Sequence, residues 1–188
     1  SHSHHDKGAF TMELDDQPLL IDRGTVRYDD PRCEIMPQSA LHNVITPCLE
    51  GNIFPDQNHP ARPVIPQGRG DQRMLEAMID LQPVWGEYFS SCRREIQSSH
   101  PGEFTIFDSG VLLQEGRVAF HLHSTIPFSI ENNQITIARS FLIEADWVNA
   151  HHHRENGINF NFQPVFHLIL ISRVLVSFSL KTVFKRIS

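Results

Sequence analysis

Hydrophobic positions recur every second residue along most of the chain. In residues 9–14, AFTMEL, Phe10, Met12 and Leu14 fall on one face, the period of a half-buried strand. Asp15-Asp16 then predicts a turn into a second strand, QPLLID. ALHNVIT at 40–46 reads as a further short strand, and the Pro- and Gly-rich stretch 51–72 as a long surface loop. Beyond it the β pattern returns in EYFSSCRREIQ, GEFTIFDSGVLLQ, GRVAFHLHSTIPFSI and NQITIARSFLIEA. Pro101-Gly102, Glu115-Gly116 and Asn132-Asn133 are the expected turns between them. One competing window, QRMLEAMIDLQ at 72–82, places Met74, Met78 and Leu81 at helical spacing and predicts a short helix. Residues 149–163 read as a polar loop before a final strand pair. The sum is an all-β, antiparallel β-sandwich with at most one short helix, expected as a single domain over 1–188.

Composition narrows the partners. The net charge is -6, with 16 Lys and Arg scattered among 22 acids, which argues against nucleic acid. The longest apolar run, FHLILISRVLVSFSL, is broken by His167, Ser172 and Arg173 before the roughly 20 residues of a membrane span, so buried strands are expected. Three cysteines, Cys33, Cys48 and Cys92, have no short metal-type spacing and cannot all pair within the chain. The opening SHSHHDKG has no basic segment followed by an apolar core, so no secretory signal peptide is visible.

That opening is the densest chemical signal. Imidazoles at alternating positions of an extended segment project to one side, as His2 and His4 do, while His5 points away. Asp22 ends the second predicted strand and His42 lies in the next strand-like segment, so His4, Asp22 and His42 could supply two imidazoles and a carboxylate to zinc. In a straight hairpin His4 would stand roughly 16 Å from Asp22. The chain must therefore bend back at Asp6-Lys7-Gly8, where Gly8 makes the bend inexpensive and Asp6 could cap it.

Three ordered motifs, HSHHDKGAFTMEL, PLLIDRGTVRYDDPR and SALHNVI, resemble the start of the heparinase II/III-like C-terminal β domain: H-x-H-x-D before an aromatic strand, then D-x-G-T, then H-N. The match covers residues 2–45. The resemblance implies a part of a polysaccharide lyase that cleaves uronic-acid-containing polysaccharide, glycosaminoglycan- or alginate-like, by β-elimination. It assigns His2 to the catalytic site and His4, Asp22 and His42 to a zinc that fixes local geometry. It also implies a periplasmic or secreted protein, and a tyrosine base from an α-helical toroid preceding the β domain. Neither Tyr28 nor Tyr88 stands in a matching context, so this chain alone is expected to be inactive.

Competing readings attach to each signal. The histidine-rich start resembles a purification tag, against which stands its continuity with the downstream motifs. Asp22 and His42 taken singly are ordinary turn or core residues. His121 and His123 alternate on one strand face and read as structural, no carboxylate following at a fitting spacing; His151-His152-His153 reads as solvated. Arg23 and Arg27, with Arg32, are candidates for binding sugar carboxylates or sulfates, with surface solubility as the alternative. Two other functions stay open: a cupin-like metal-dependent enzyme, against which Glu13 stands too far from His4, and a noncatalytic carbohydrate-binding or structural module.

Overall fold

The computed structural model describes residues 4–132, 134–159 and 161–187, with the side chain of Ser99 left aside. Strands hold 51% of the chain; among the described residues every strand pair is antiparallel and the only α-helix is one turn, Gln82–Trp85 (α1); the protein is an all-β sandwich. Contacts divide it into two compact units: residues 1–57, 117–127 and 148–172 in one, and 58–116, 128–147 and 173–188 in the other.

The first unit opens with the hairpin β1 (Met12–Leu14) and β2 (Gln17–Leu20). Asp15 and Asp16 both take left-handed backbone angles, φ 49° and 61°. Aspartate tolerates that region, and the resulting turn follows the strands' own twist. The expected strand over 40–46 begins later, as β3 (Ile45–Cys48). Ser39–Leu41 form a 3-10 turn, and His42 closes it by donating its backbone N–H to the Ser39 carbonyl. His42 is therefore presented by a turn, not by a strand.

β3 pairs with the second part of β7 (Glu103–Ser124), which pairs in turn with β12 (Val165–Ile171), which pairs with β11 (Asn149–Glu155). The polar run expected as a loop over 149–163 is thus an edge strand in its first half. Five of its seven residues are exposed, which the hydropathy pattern reads as loop; the ladder to β12 overrides it. Directly paired residues share a face, so the register sorts the sheet cleanly. Ile45, Phe120, Leu122, Leu168 and Leu170 lie on one face, buried; His121, His123, His153, Glu155 and His167 lie on the other.

The second unit is one antiparallel sheet in the order β4 (Gln67–Gly70), β5 (Leu75–Asp80), β6 (Phe89–His100), β7, β13 (Leu175–Arg186), β10 (Phe141–Ala145), β9 (Gln134–Ile137), β8 (Phe128–Glu131). Two expectations are corrected here. The window 72–82 is strand β5, not helix, because pairing on both sides, to β4 and β6, outweighs the helical spacing of Met74, Met78 and Leu81. Glu115-Gly116 is no turn either: β7 runs 22 residues through it. Gly110, by contrast, has to be glycine, since a Cβ there would overlap the Ser91 carbonyl and stand 2.9 Å from the Phe178 ring.

Within this unit Arg94 and Asp108 face each other across β6 and β7, each 1% exposed, with Nε donating to Oδ1 at 2.7 Å and Nη2 to Oδ2 at 2.9 Å. Removing one partner leaves a buried uncompensated charge, at a cost of about 3–5 kcal/mol, whereas replacing both with apolar residues of similar volume is close to neutral. Urea unfolding followed by Trp85 fluorescence is expected to show a large loss of stability for Asp108→Ala and most of it recovered in Arg94→Met/Asp108→Leu.

Candidate metal and histidine sites

The N-terminal segment bends where the geometry requires. Gly8 has φ 84°, and the Ala9 amide donates to the Asp6 carbonyl at 2.9 Å. The Asp6 carboxylate pairs with Lys7 Nζ at 2.9 Å. Gln57 secures the bend by accepting from the Lys7 amide and donating back to the Lys7 carbonyl, both at 2.8 Å. His5 turns to the Gln57 carbonyl, away from His4. His2 lies outside the described residues.

The bend brings three of the expected residues together. The His4 and His42 rings stand 5.0 Å apart between centroids, and His42 Nδ1 meets Asp22 Oδ2 at 3.0 Å. The other Asp22 oxygen accepts the Gly24 amide at 2.6 Å. Asp6, which the sequence reading used only for the bend, is a further candidate: His4, Asp6 and His42 can each place a ligand atom within 4.8 Å of the others.

Electrostatics favours the metal-competent forms. Burial, then the neighbouring His42, pushes the His4 pKa below its ordinary value, leaving a neutral imidazole with a free lone pair. Burial pushes Asp22 up, but the hydrogen bond and charge of His42 and the Gly24 amide outweigh it, and the net shift is downward. His42 is fully buried, and its Nε2 has no hydrogen-bond partner among the described residues. Asp22 and His42 can meet one ion only through Oδ2 and Nδ1, 3.0 Å apart, so a bound cation would take the place of the hydrogen bond between them. Two imidazoles with one or two carboxylates fit zinc by donor chemistry.

The two arginines part company. Arg27 is exposed and pairs with Asp29, open to an anionic ligand. Arg23 is fully buried and grips Glu155 with both terminal nitrogens, Nη2 donating to Oε1 at 2.9 Å, so a sugar anion would have to displace that carboxylate. Glu155 belongs to a second constellation that the sequence reading did not assemble. Its Oε1 stands 2.8 Å from His153 Nε2 and 3.5 Å from His167 Nδ1. His167 Nε2 is 3.0 Å from His121 Nδ1, and His121 Nε2 is 3.0 Å from Thr46 Oγ1. The His123 ring stands 4.2 Å from that of His167, tilted by 32°. One signal was available: a histidine within the apolar run FHLILI must be buried, and a buried imidazole needs partners.

No protein-family model matches the sequence, and no curated protein matches it. Solved structures do. A heparinase III aligns over 100% of this chain with a TM-score of 0.74 at 14% identity, and a heparan sulfate lyase from Pedobacter heparinus over 98% with a TM-score of 0.67 at 13%. The fold is shared with heparinases. This chain spans about a third of their length, 31% of each.

Burial pushes the pKa of His121, His123 and His167 below the ordinary histidine value, for His167 to about 4. Such groups stay neutral when folded and take up protons once unfolded. Their stabilising contribution is complete above about pH 6.5 and is lost as pH falls toward their folded values. In chelator-containing buffer, stability is expected to drop as pH falls from 6.5 toward 4, by up to about 1.4 kcal/mol per pH unit for His167, with His121 and His123 acting in the same direction. Denaturant melts of His123→Asn are expected to show a shallower slope.

Proposed function

We propose that this chain is the β part of a polysaccharide lyase acting on a uronic-acid-containing polysaccharide by β-elimination. The observation that carries the reading is the assembly of His4, Asp22 and His42, drawn from three motifs far apart in sequence, on a fold shared with heparin and heparan sulfate lyases.

In this reading His4, Asp22 and His42 hold a zinc ion, with Asp6 beside them. When bound, the ion supplies structural cross-linking of the N-terminal segment to the β2 end and the turn at 39–41. Its consequence for this chain's own residues is positional, since it fixes His4, two residues along the chain from His2. β-Elimination removes a weakly acidic proton beside the uronate carboxylate, so negative charge develops there and needs a hydrogen-bond donor. His2 is the proposed donor, and exposed Arg27 a contact for a neighbouring sulfate or carboxylate. The base is assigned to a tyrosine of a helical domain of the kind found with such β domains, and the substrate places the activity outside the cytoplasm.

The test uses heparan sulfate and alginate with this chain alone and together with the helical domain of a heparinase III, reading the ultraviolet absorbance of the unsaturated uronate product. Turnover only in the presence of the helical domain, reduced about 10²-fold or more by His2→Ala, supports the proposal. Turnover by this chain alone that depends on added metal would favour a cupin-like enzyme instead. Polysaccharide binding without turnover, unchanged by His2→Ala, would favour a noncatalytic module. For the metal, elemental analysis of protein purified without chelators or nickel resin is expected to show zinc that Asp22→Ala removes.

A further inference from the structure

The histidine-bearing face of the first unit's sheet holds a second donor set, separate in sequence from His4, Asp22 and His42. We infer that His153, Glu155 and His167 form a binding site for a divalent transition-metal ion. Each offers a ligand atom within 4.8 Å of the others. The set is built by strand register: His153 and His167 are direct partners across β11 and β12, and Glu155, two residues on from His153, falls on the same face. The rings of His153 and His167 stand 4.9 Å apart.

Each ligand is oriented by a neighbour. Glu155 is held by Arg23, which occupies one position on each carboxylate oxygen; a carboxylate has about four, so Oε1 keeps one for a cation. His167 presents Nδ1 toward Glu155 while Nε2 faces His121 Nδ1, and His121 Nε2 faces Thr46 Oγ1. One assignment of protons satisfies this whole chain around a cation. His167 donates Nε2–H to His121, His121 donates Nε2–H to the Thr46 hydroxyl, and the lone pair on His167 Nδ1 is left for the metal. Two imidazoles and one carboxylate are the ligands of open transition-metal sites, in which water fills the remaining positions. His153 is half exposed, so water has access from that side. The nearby Arg23 charge opposes a cation, which sets the affinity below that of a closed four-ligand site.

The test is a titration of the chelator-stripped chain with Zn²⁺ by calorimetry, and with Co²⁺ by visible absorption. His153→Ala suits it because the side chain is partly exposed and its loss leaves the core intact. The expected result is loss of one binding equivalent, or at least roughly tenfold weaker binding at it, in His153→Ala. The same equivalent is expected to persist in Asp22→Ala and in His151→Ala/His152→Ala. Unchanged stoichiometry and affinity in His153→Ala would overturn the inference. So would loss of that equivalent in His151→Ala/His152→Ala, which would trace it to the exposed histidine run.

Discussion

The side-chain amide of Asn43 is the contact on which the candidate metal site depends. Its Nδ2 donates to the carbonyls of Phe10 at 2.8 Å and Ile21 at 3.0 Å, and its Oδ1 accepts the backbone N–H of His123 at 2.8 Å. One buried side chain thereby ties the N-terminal segment, the end of β2 and strand β7 to the turn that carries His42. Asp22 follows Ile21, His42 precedes Asn43, and the bend that delivers His4 ends just before Phe10. All three groups are therefore placed by backbone contacts of a residue outside the proposed ligand set. An apolar residue here would remove three hydrogen bonds to backbone groups, each contributing about 0.5–1.5 kcal/mol.

The same constraint, that a buried polar group must find a partner, organises the opposite side of the segment after β2. Asp22 and Arg23 are consecutive, yet one meets His42 and the other meets Glu155. The carboxylate of Asp22 accepts from an imidazole, while the guanidinium of Arg23 fixes a carboxylate that faces two imidazoles. A shift of one residue in this segment would set either Arg23 against His42 or Asp22 against Glu155, the latter leaving two carboxylates face to face. The alternation of His and apolar residues in VAFHLHS has the same logic. Phe120 and Leu122 fill one face of the sheet, and His121 and His123 line the other, where Thr46, Asn43 and His167 receive them.

Much of this was legible. The period of two in AFTMEL and QPLLID, with Asp15-Asp16 between, is the observed hairpin, and the need for a bend at Asp6-Lys7-Gly8 followed from strand rise alone. The all-β class was legible because almost every segment carries the same alternation. What escaped has a common physical origin in pairing between strands distant in sequence. Residues 75–80 carry a helical spacing that only their two neighbours overrule, and residues 149–155 look like loop because an edge strand on a solvated face needs no apolar side chains. Arg23 is indistinguishable from a surface arginine until Glu155, 132 residues on, is known to meet it. The histidine constellation escaped for the same reason: its carboxylate was sought after His123 along the chain, whereas it arrives from two strands away.

The two proposed metal sites differ in what holds their ligands, and so in what a bound ion would do. His153, Glu155 and His167 come from one ladder whose register is already fixed by backbone hydrogen bonds and by the buried residues on the opposite face. A cation there would find its ligands prearranged, and binding would add little to the order of the sheet. His4, Asp22 and His42 come from a bend, the segment after a hairpin and a 3-10 turn, none of which belongs to a ladder shared with another. Their separation is kept by Gln57, Asn43 and the hydrogen bond between Asp22 and His42. Here binding energy goes into joining segments that the backbone leaves separate, so metal and local folding are coupled. That coupling is the physical reason to read the first site as the one that positions the N-terminal segment, and the second as a site whose open coordination faces solvent.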